Sequence, residues 1–340
     1  MRRVHTSGMA AAGVAAVALL AACGNSSSSD PAAGGSSSAG SSSAAAAKKI
    51  VYIPGLTGNP FYSTVSCGAG TAAKKLGVAF STQGSATFDV AKQTEIINAV
   101  VASKPSAIMI SITDPKAMIV PLTQAKQAGI KIIGIDGDLQ DASVMTTNIQ
   151  SDGVKGGELA GDALAKLVGE KGSVLAIDNQ TGSLVSKART DGFQKAIAKY
   201  PNMKFLGIQY SGNATAKAAS IASTATTTNK DVVGIFSAET NNTEGAITGL
   251  REAGKTGKVH VVGYDTSDPI VAALKNKSLD GTVVQYPYGE GMLGVESAVA
   301  SIAGKTVPRQ QPADQVFATP ENVDTAKVKK YIYDVNCKVS

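Results

Sequence analysis

Ile50-Val51-Tyr52-Ile53-Pro54-Gly55-Leu56-Thr57-Gly58-Asn59-Pro60-Phe61-Tyr62 is the stretch from which the fold is read. Four β-favouring apolar residues make a strand, and the turn residues between Pro54 and Pro60 end it. A segment with helical spacing follows, Phe61–Leu76. A strand apolar on both faces needs cover on both, which the helices of a parallel sheet supply. The unit recurs in the runs Ala107-Ile108-Met109-Ile110, Ile130–Ile135, Ser173–Ile177, Val232–Phe236, Val259–Tyr264 and Gly281–Val284. Helical segments lie between them at 90–103, 117–128, 153–168, 184–199, 214–227 and 242–253. This alternation predicts an α/β fold of doubly wound parallel sheets. A length of 340 residues makes about two domains of ordinary size.

Several strands run into an acid or amide: Asp136, Asp178, Asp265 and Gln285. Ligands of open parallel sheets bind outside the carboxyl ends of the strands, so a site is expected there.

Composition narrows the chemistry. Hydrophobic residues make up 43% and charged residues 17%, enough for a large core. The net charge is +6, falling to +4 without Arg2 and Arg3, and no basic run exceeds a Lys pair. A cationic nucleic-acid-binding face is not indicated. Two His, His5 and His260, exclude a His-rich metal centre, and no cofactor is implied. A Ser-His-Asp arrangement could use only His260, which opens an apolar strand, and no Gly-x-Ser-x-Gly elbow occurs. An enzyme is not expected.

Gly249-Leu250-Arg251-Glu252-Ala253-Gly254-Lys255-Thr256 formally matches a phosphate-cradling loop. It occurs in the wrong order: the first glycine lies within a helix, and the strand comes after. Gly68-Ala69-Gly70 also lies within a helix and reads as close helix packing.

At the N-terminus, Arg2-Arg3 precede an apolar stretch of 14 residues, Met9–Ala22, short of the roughly 20 needed to span a bilayer. It runs into Leu20-Ala21-Ala22-Cys23-Gly24, which resembles the bacterial lipoprotein box. That resemblance implies a signal peptide over 1–22 and a lipid on Cys23. The Ser/Ala/Gly-rich segment through 47 is expected to be a disordered tether over 23–47, with a reach of about 25–30 Å. The address is extracytoplasmic, anchored to the cell membrane by lipid alone. In such an oxidising compartment the two remaining cysteines, Cys67 and Cys337, favour one disulfide; the alternative is two free thiols too far apart to bond.

From Lys49 to about Gly304 the chain resembles the ribose-type periplasmic sugar-binding proteins. The likeness lies in Asn59-Pro60-Phe61-Tyr62 after the first strand, Ala107–Ser111 with Asp114, Ile135-Asp136, Asp191-Gly192-Phe193, Val262-Gly263-Tyr264-Asp265 and Thr282-Val283-Val284-Gln285, in that order. The resemblance implies the type I periplasmic binding protein fold, two α/β lobes joined by a three-crossing hinge. The crossings would fall near Ser151-Asp152, near Gln285-Tyr286 and within about 315–322. The N-lobe would be 48–151 plus 286–318, and the C-lobe 152–285 plus 319–340.

By the same resemblance Phe61 and Tyr62 flank a sugar ring, and Asn59 bonds its hydroxyls. Asp136 and Asp265 accept from paired hydroxyls, and Gln285 is a hinge-side amide contact. Ordinary readings stand beside these: helix-start packing for the aromatics, an N-cap for Asn59, loop capping for the acids. The chain departs from the pattern where an Arg would follow Asp136; here Gly137 and then Asp138 stand. The second Arg position falls at Lys187, with Arg189 two residues on. A stacking aromatic is replaced by Asn213, and an Asn by Glu239, with Asn241 and Asn242 near. Asp138 and Glu239 make the expected pocket acidic, which suits a neutral pentose, small hexose or sugar alcohol and disfavours phosphosugars.

The resemblance implies a monomeric solute-binding subunit that delivers its sugar or polyol to the permease of an ABC importer. The alternative is a ligand-sensing lipoprotein of the same fold that presents to a receptor. Ile135-Asp136-Gly137-Asp138 also resembles relatives that bind a furanosyl quorum signal.

Overall fold

A computed structural model describes residues 48–337. The expected signal peptide, Cys23 and the tether through 47 lie outside the described residues.

The first half runs β1 (Lys49–Ile53), α1 (Pro60–Leu76), β2 (Ala79–Thr82), α2 (Val90–Ala102), β3 (Ala107–Ile110), α3 (Ile119–Gln127), β4 (Lys131–Ile135) and β5 (Thr147–Ser151). The second runs α4 (Gly153–Leu167), β6 (Lys171–Asp178), α5 (Leu184–Ile197), β7 (Asn202–Tyr210), α6 (Thr215–Thr228), β8 (Val232–Ser237), α7 (Thr240–Glu252), β9 (His260–Tyr264), α8 (Asp268–Lys275) and β10 (Gly281–Gln285). The chain closes with α9 (Pro287–Ile302), β11 (Gln310–Ala313), β12 (Gln315–Ala318) and α10 (Ala326–Lys329).

Two six-stranded sheets result, in the orders β11-β5-β4-β3-β1-β2 and β12-β10-β9-β8-β6-β7. Every pairing is parallel except β10 with β12. The central strands β1, β3, β4, β8, β9 and β10 are buried almost throughout, as their unbroken apolar runs require when helices lie on both faces. The α/β doubly wound reading holds in both halves.

The chain passes from one sheet to the other at Asp152, after β5, and again at Tyr286, after β10. α9 then packs on α1, β4 and β3 of the first sheet. The third passage is at Asp314. Because Gln315–Ala318 hydrogen-bond to β10, the boundary drawn after residue 318 is corrected: β12 belongs to the second sheet. Glycines allow the closest helix contacts. Gly68 of α1 lies against the Tyr288 carbonyl of α9, and Gly157 of α4 against the Arg189 carbonyl of α5, with no room for a Cβ at either place. The phosphate-loop look-alike is the end of α7, stopped by Gly254 at φ +64°.

Candidate functional site

The strand ends of both sheets face one cleft, and the local backbone there is unusual. Asp136 and Asp265, each the first residue past its strand, take left-handed backbone at φ 46° and 72°, and Asn213 does so at 60°. Such conformations are uncommon for non-glycine residues and gather at functional sites, where surrounding bonds hold them in place. Here Asp136 N–H donates to the Ile149 carbonyl at 2.9 Å and Asp265 N–H to the Val283 carbonyl at 2.7 Å.

Arg189 is the centre of the cleft. It reaches from α5, only 2% exposed. Its Nη2 donates to Asp136 Oδ2 at 3.3 Å and its Nη1 to the Ala238 carbonyl at 3.0 Å, with Asp265 Oδ2 3.8 Å from Nη1. The guanidinium carbon stands 4.0 Å from the centroid of the Tyr264 ring, a cation–π contact. The Nε–H is buried without a partner. Burial of a guanidinium is tolerable only against carboxylates and aromatic faces, and this one has both.

Around Arg189 is a cavity of about 60 Å³, lined by Asn59, Phe61, Tyr62, Asp136, Asn213, Glu239 and Asp265 among others. A single water needs only about 10–15 Å³ on this measure, so the cavity has room for more. Asn59 does two things at once: Oδ1 accepts from Phe61 N–H at 2.9 Å, capping α1, while the residue lines the cleft. Phe61 and Tyr62 meet edge to face, centroids 5.4 Å apart. Glu239 occupies the N-cap position of α7 yet makes no capping bond; Oε1 accepts instead from Asn179 Nδ2 at 2.8 Å. Burial, opposed by Arg189 and reinforced by Asp178, Asp265 and Asp136, pushes its carboxyl up to about 8. Burial likewise raises Asp136 against the pull of Arg189.

Three expected contacts stand elsewhere. Lys187 is exposed and paired with Asp191 at 2.5 Å, outside the cavity. Two residues on a helix differ by roughly 200°, so when position 189 faces inward position 187 faces solvent; the basic residue that lines the cavity is Arg189, not Lys187. Asp138 is also outside the cavity, its Oδ2 accepting from Gln310 Nε2 of β11 at 3.2 Å. The acidity credited to it is therefore not in the pocket; that from Glu239 is. Gln285 is buried at the second crossing, behind the cavity wall: Nε2 donates to Asp265 Oδ1 at 2.8 Å, and Oε1 accepts from Ser151 Oγ at the first crossing.

The cavity also takes residues the sequence did not point to: Phe88, Ile112, Asn179, Ser183, Val185 and Thr240, besides Asn241, which the sequence placed nearby. Asn179 had one signal, its position beside the strand-end Asp178. Asp178 itself is structural, its Oδ1 accepting from Asn179 N–H at 2.6 Å. His260 pairs with Asp280 at 2.8 Å, far along β9 from its cleft end. Among the described residues no cluster of His, Cys, Asp and Glu is placed to hold a metal ion.

Residues 50–306 match the family model described as periplasmic binding protein domain. The chain is 29% identical over 265 residues to the ribose import binding protein RbsB of Escherichia coli (strain K12), covering 78% of this chain and 88% of that protein. It is 30% identical over 256 residues to RbsB of Salmonella typhimurium, covering 75% and 85%. Among solved structures it resembles an ABC transporter solute-binding protein from Agrobacterium vitis bound with α-D-tagatopyranose, at 33% identity and a TM-score of 0.82, covering 84% of this chain and 99% of that one. A carbohydrate transporter solute-binding protein from Agrobacterium radiobacter in complex with D-arabinose matches at 30% identity and a TM-score of 0.81, covering 85% and 99%. The two-sheet, three-crossing architecture is that of type I periplasmic binding proteins, and these relatives are solute-binding proteins, not enzymes.

Proposed function

Because this chain belongs to the periplasmic binding protein domain family, we propose that it captures a neutral monosaccharide or sugar alcohol between its lobes and delivers it to the permease of an ABC importer. It is a binding protein and not an enzyme. The observation that carries the reading is the Asp136–Arg189–Asp265 cluster lining one cavity with the Phe61–Tyr62 pair. Aromatic faces accept the apolar C–H face of a sugar, and fixed carboxylates accept from vicinal hydroxyls in charge-assisted bonds. One guanidinium already faces two carboxylates, Asp136 and Asp265, so a phosphosugar would enter against net negative charge. The sugars in the related proteins, ribose, D-arabinose and α-D-tagatopyranose, are of the neutral class.

In this reading Asn59, Phe61, Tyr62, Asp136, Arg189, Asn213, Glu239 and Asp265 touch the sugar, and the two lobes close about the crossings at Asp152, Tyr286 and Asp314. Cys23 carries the lipid anchor, 23–47 is the tether, and the protein works as a monomer outside the cytoplasmic membrane. Cys67 and Cys337, whose Cα atoms are 5.1 Å apart, form a disulfide.

A thermal-shift and calorimetric screen of residues 48–340 against D-ribose, D-arabinose, D-tagatose, D-allose and sugar alcohols, with ribose 5-phosphate as the anionic control, tests the reading. Saturable stabilisation by a neutral sugar supports it. A preference for the phosphosugar, or no response to any neutral sugar or polyol, overturns it.

A further inference from the structure

Beyond β12 the described chain does not stay with its own lobe. α10 packs on β12, and the Tyr331 ring then meets that of Tyr286 at the second crossing in a tilted contact, centroids 5.1 Å apart. Tyr333, 5% exposed, donates its N–H to Thr266 Oγ1 at 3.1 Å and its OH to Asp265 Oδ1 at 2.6 Å. Its ring meets Phe61 of α1 edge to face at 5.8 Å. Four residues later Cys337 reaches Cys67, also on α1.

The consequence for Asp265 lies in how its two oxygens are used. Oδ1 accepts from Gln285 Nε2 at 2.8 Å and from Tyr333 OH, both from behind the cavity wall. Oδ2 is left facing Arg189 and Thr240, the side that lines the cavity. A carboxylate with one oxygen held by two donors cannot rotate freely, and a binding group held in its productive orientation loses less freedom on capture.

We propose that Tyr333 is a positioning residue for sugar capture: it fixes the Asp265 carboxylate from the C-terminal segment, and the Cys67–Cys337 link seats it there. The inference rests on the sugar-binding reading and on that disulfide. The segment touches the second crossing, the end of β9 and α1, so the link to α1 holds Tyr333 against residues of both sheets. Burial and the charge of Asp265 raise the Tyr333 phenol well above its ordinary range, so it remains a donor.

The test compares wild type, Tyr333→Phe, Asp265→Asn, their double variant and Cys337→Ser. Affinity for D-arabinose and D-tagatose is read by calorimetry below the melting temperature of every variant. Tyr333→Phe should weaken both sugars about five- to tenfold, less than the full value of a hydrogen bond to a charged group because Tyr333 acts on the sugar only through Asp265, and Cys337→Ser should weaken them in the same direction but less. In the Asp265→Asn background the Tyr333 change should cost under about twofold, because its partner charge is gone. A role confined to stability would lower the melting temperature and leave affinity unchanged. Crystal structures of the sugar-free wild type and Tyr333→Phe give a readout that needs no sugar. The Asp265 carboxylate should keep one orientation in the first and turn or split in the second. Unchanged affinity in Tyr333→Phe, full additivity in the double variant, or an unmoved carboxylate overturns the proposal. Should neither sugar bind wild type, affinity is read with the sugar the screen identifies; should the screen identify none, the function reading fails on that result, while the carboxylate orientation still decides the role of Tyr333.

Discussion

Arg189 Nη2 and Asp136 Oδ2 meet at 3.3 Å although they come from different halves of the fold, one from α5 and the other from the end of β4. Both side chains are nearly buried, so their attraction is opposed by a large desolvation cost. Such a pair adds little to stability by itself, and removing either partner leaves an uncompensated charge. Its value is geometric, since it fixes donors and acceptors where the lobes converge.

Arg189→Met should therefore reduce affinity for the sugar identified in the screen by more than about 100-fold, on the order of 3 kcal/mol or more. It should also lower the melting temperature, because Asp136 and Asp265 lose their cation. Calorimetry and a circular-dichroism melt measure the two effects, and retained affinity within threefold would contradict the assignment.

Lys187→Met is the matched control. Its ammonium is paired with Asp191 in solvent, and such pairs contribute about 0–1 kcal/mol. Affinity should stay within about twofold of wild type. A large loss would show that position 187, and not 189, faces the sugar.

Stability of the sugar-free protein should fall as pH rises. The Glu239 carboxyl titrates at about 8 in the folded state against 4.5 as its ordinary value. The folded protein therefore keeps a proton that the unfolded chain has released. The associated stability is complete below about pH 4.5 and is lost as pH climbs through about 8. Asp136, also raised, acts with the same sign. Melting temperatures at pH 6 and pH 9 should differ by several degrees in wild type and by less in Glu239→Gln; equal differences would remove Glu239 as the cause.

Gly157→Ala tests whether packing outside the cavity reaches the site. The new methyl would press on the Arg189 carbonyl and on Phe193 N, so α4 and α5 must move apart. Overpacking of this kind costs about 1–3 kcal/mol. Because α5 carries Arg189, sugar affinity should drop together with the melting temperature. A stable variant with normal affinity would mean the helices have slack that the geometry denies.

Much of this was legible in the sequence, for physical reasons that differ by residue. Buried strands such as β3 and β4 are written as continuous apolar runs, so the alternation and the fold class follow from them. β2 and β7 are sheet edges, half exposed and mixed in composition, and no such run marks them. α9 was not among the helical segments the spacing marked; its Gly289, Gly291 and Gly294 weaken helical propensity while permitting close packing. The strand-end rule located Asp136 and Asp265 because the sheet direction alone places them. Choosing Arg189 over Lys187 needs the rotational phase of α5, which a polar-faced helix does not display. Phe88 and Tyr333 arrive through connections without periodicity, and only the tertiary structure brings them near the cleft.

The two sheet orders correspond position by position: β1 to β6, β2 to β7, β3 to β8, β4 to β9, β5 to β10 and β11 to β12. Asp136 and Asp265 occupy the same place in that correspondence, each with its N–H bonded to the next strand. The molecule thus uses one half-pattern twice, and a pair of like turns lines one cavity. Specificity can then change one half at a time. On the proposed sugar reading, substitutions around Asn213 and Glu239 would retune what one jaw accepts while the other keeps its hold, so such a scaffold would trade one cargo for another without losing the grip in between.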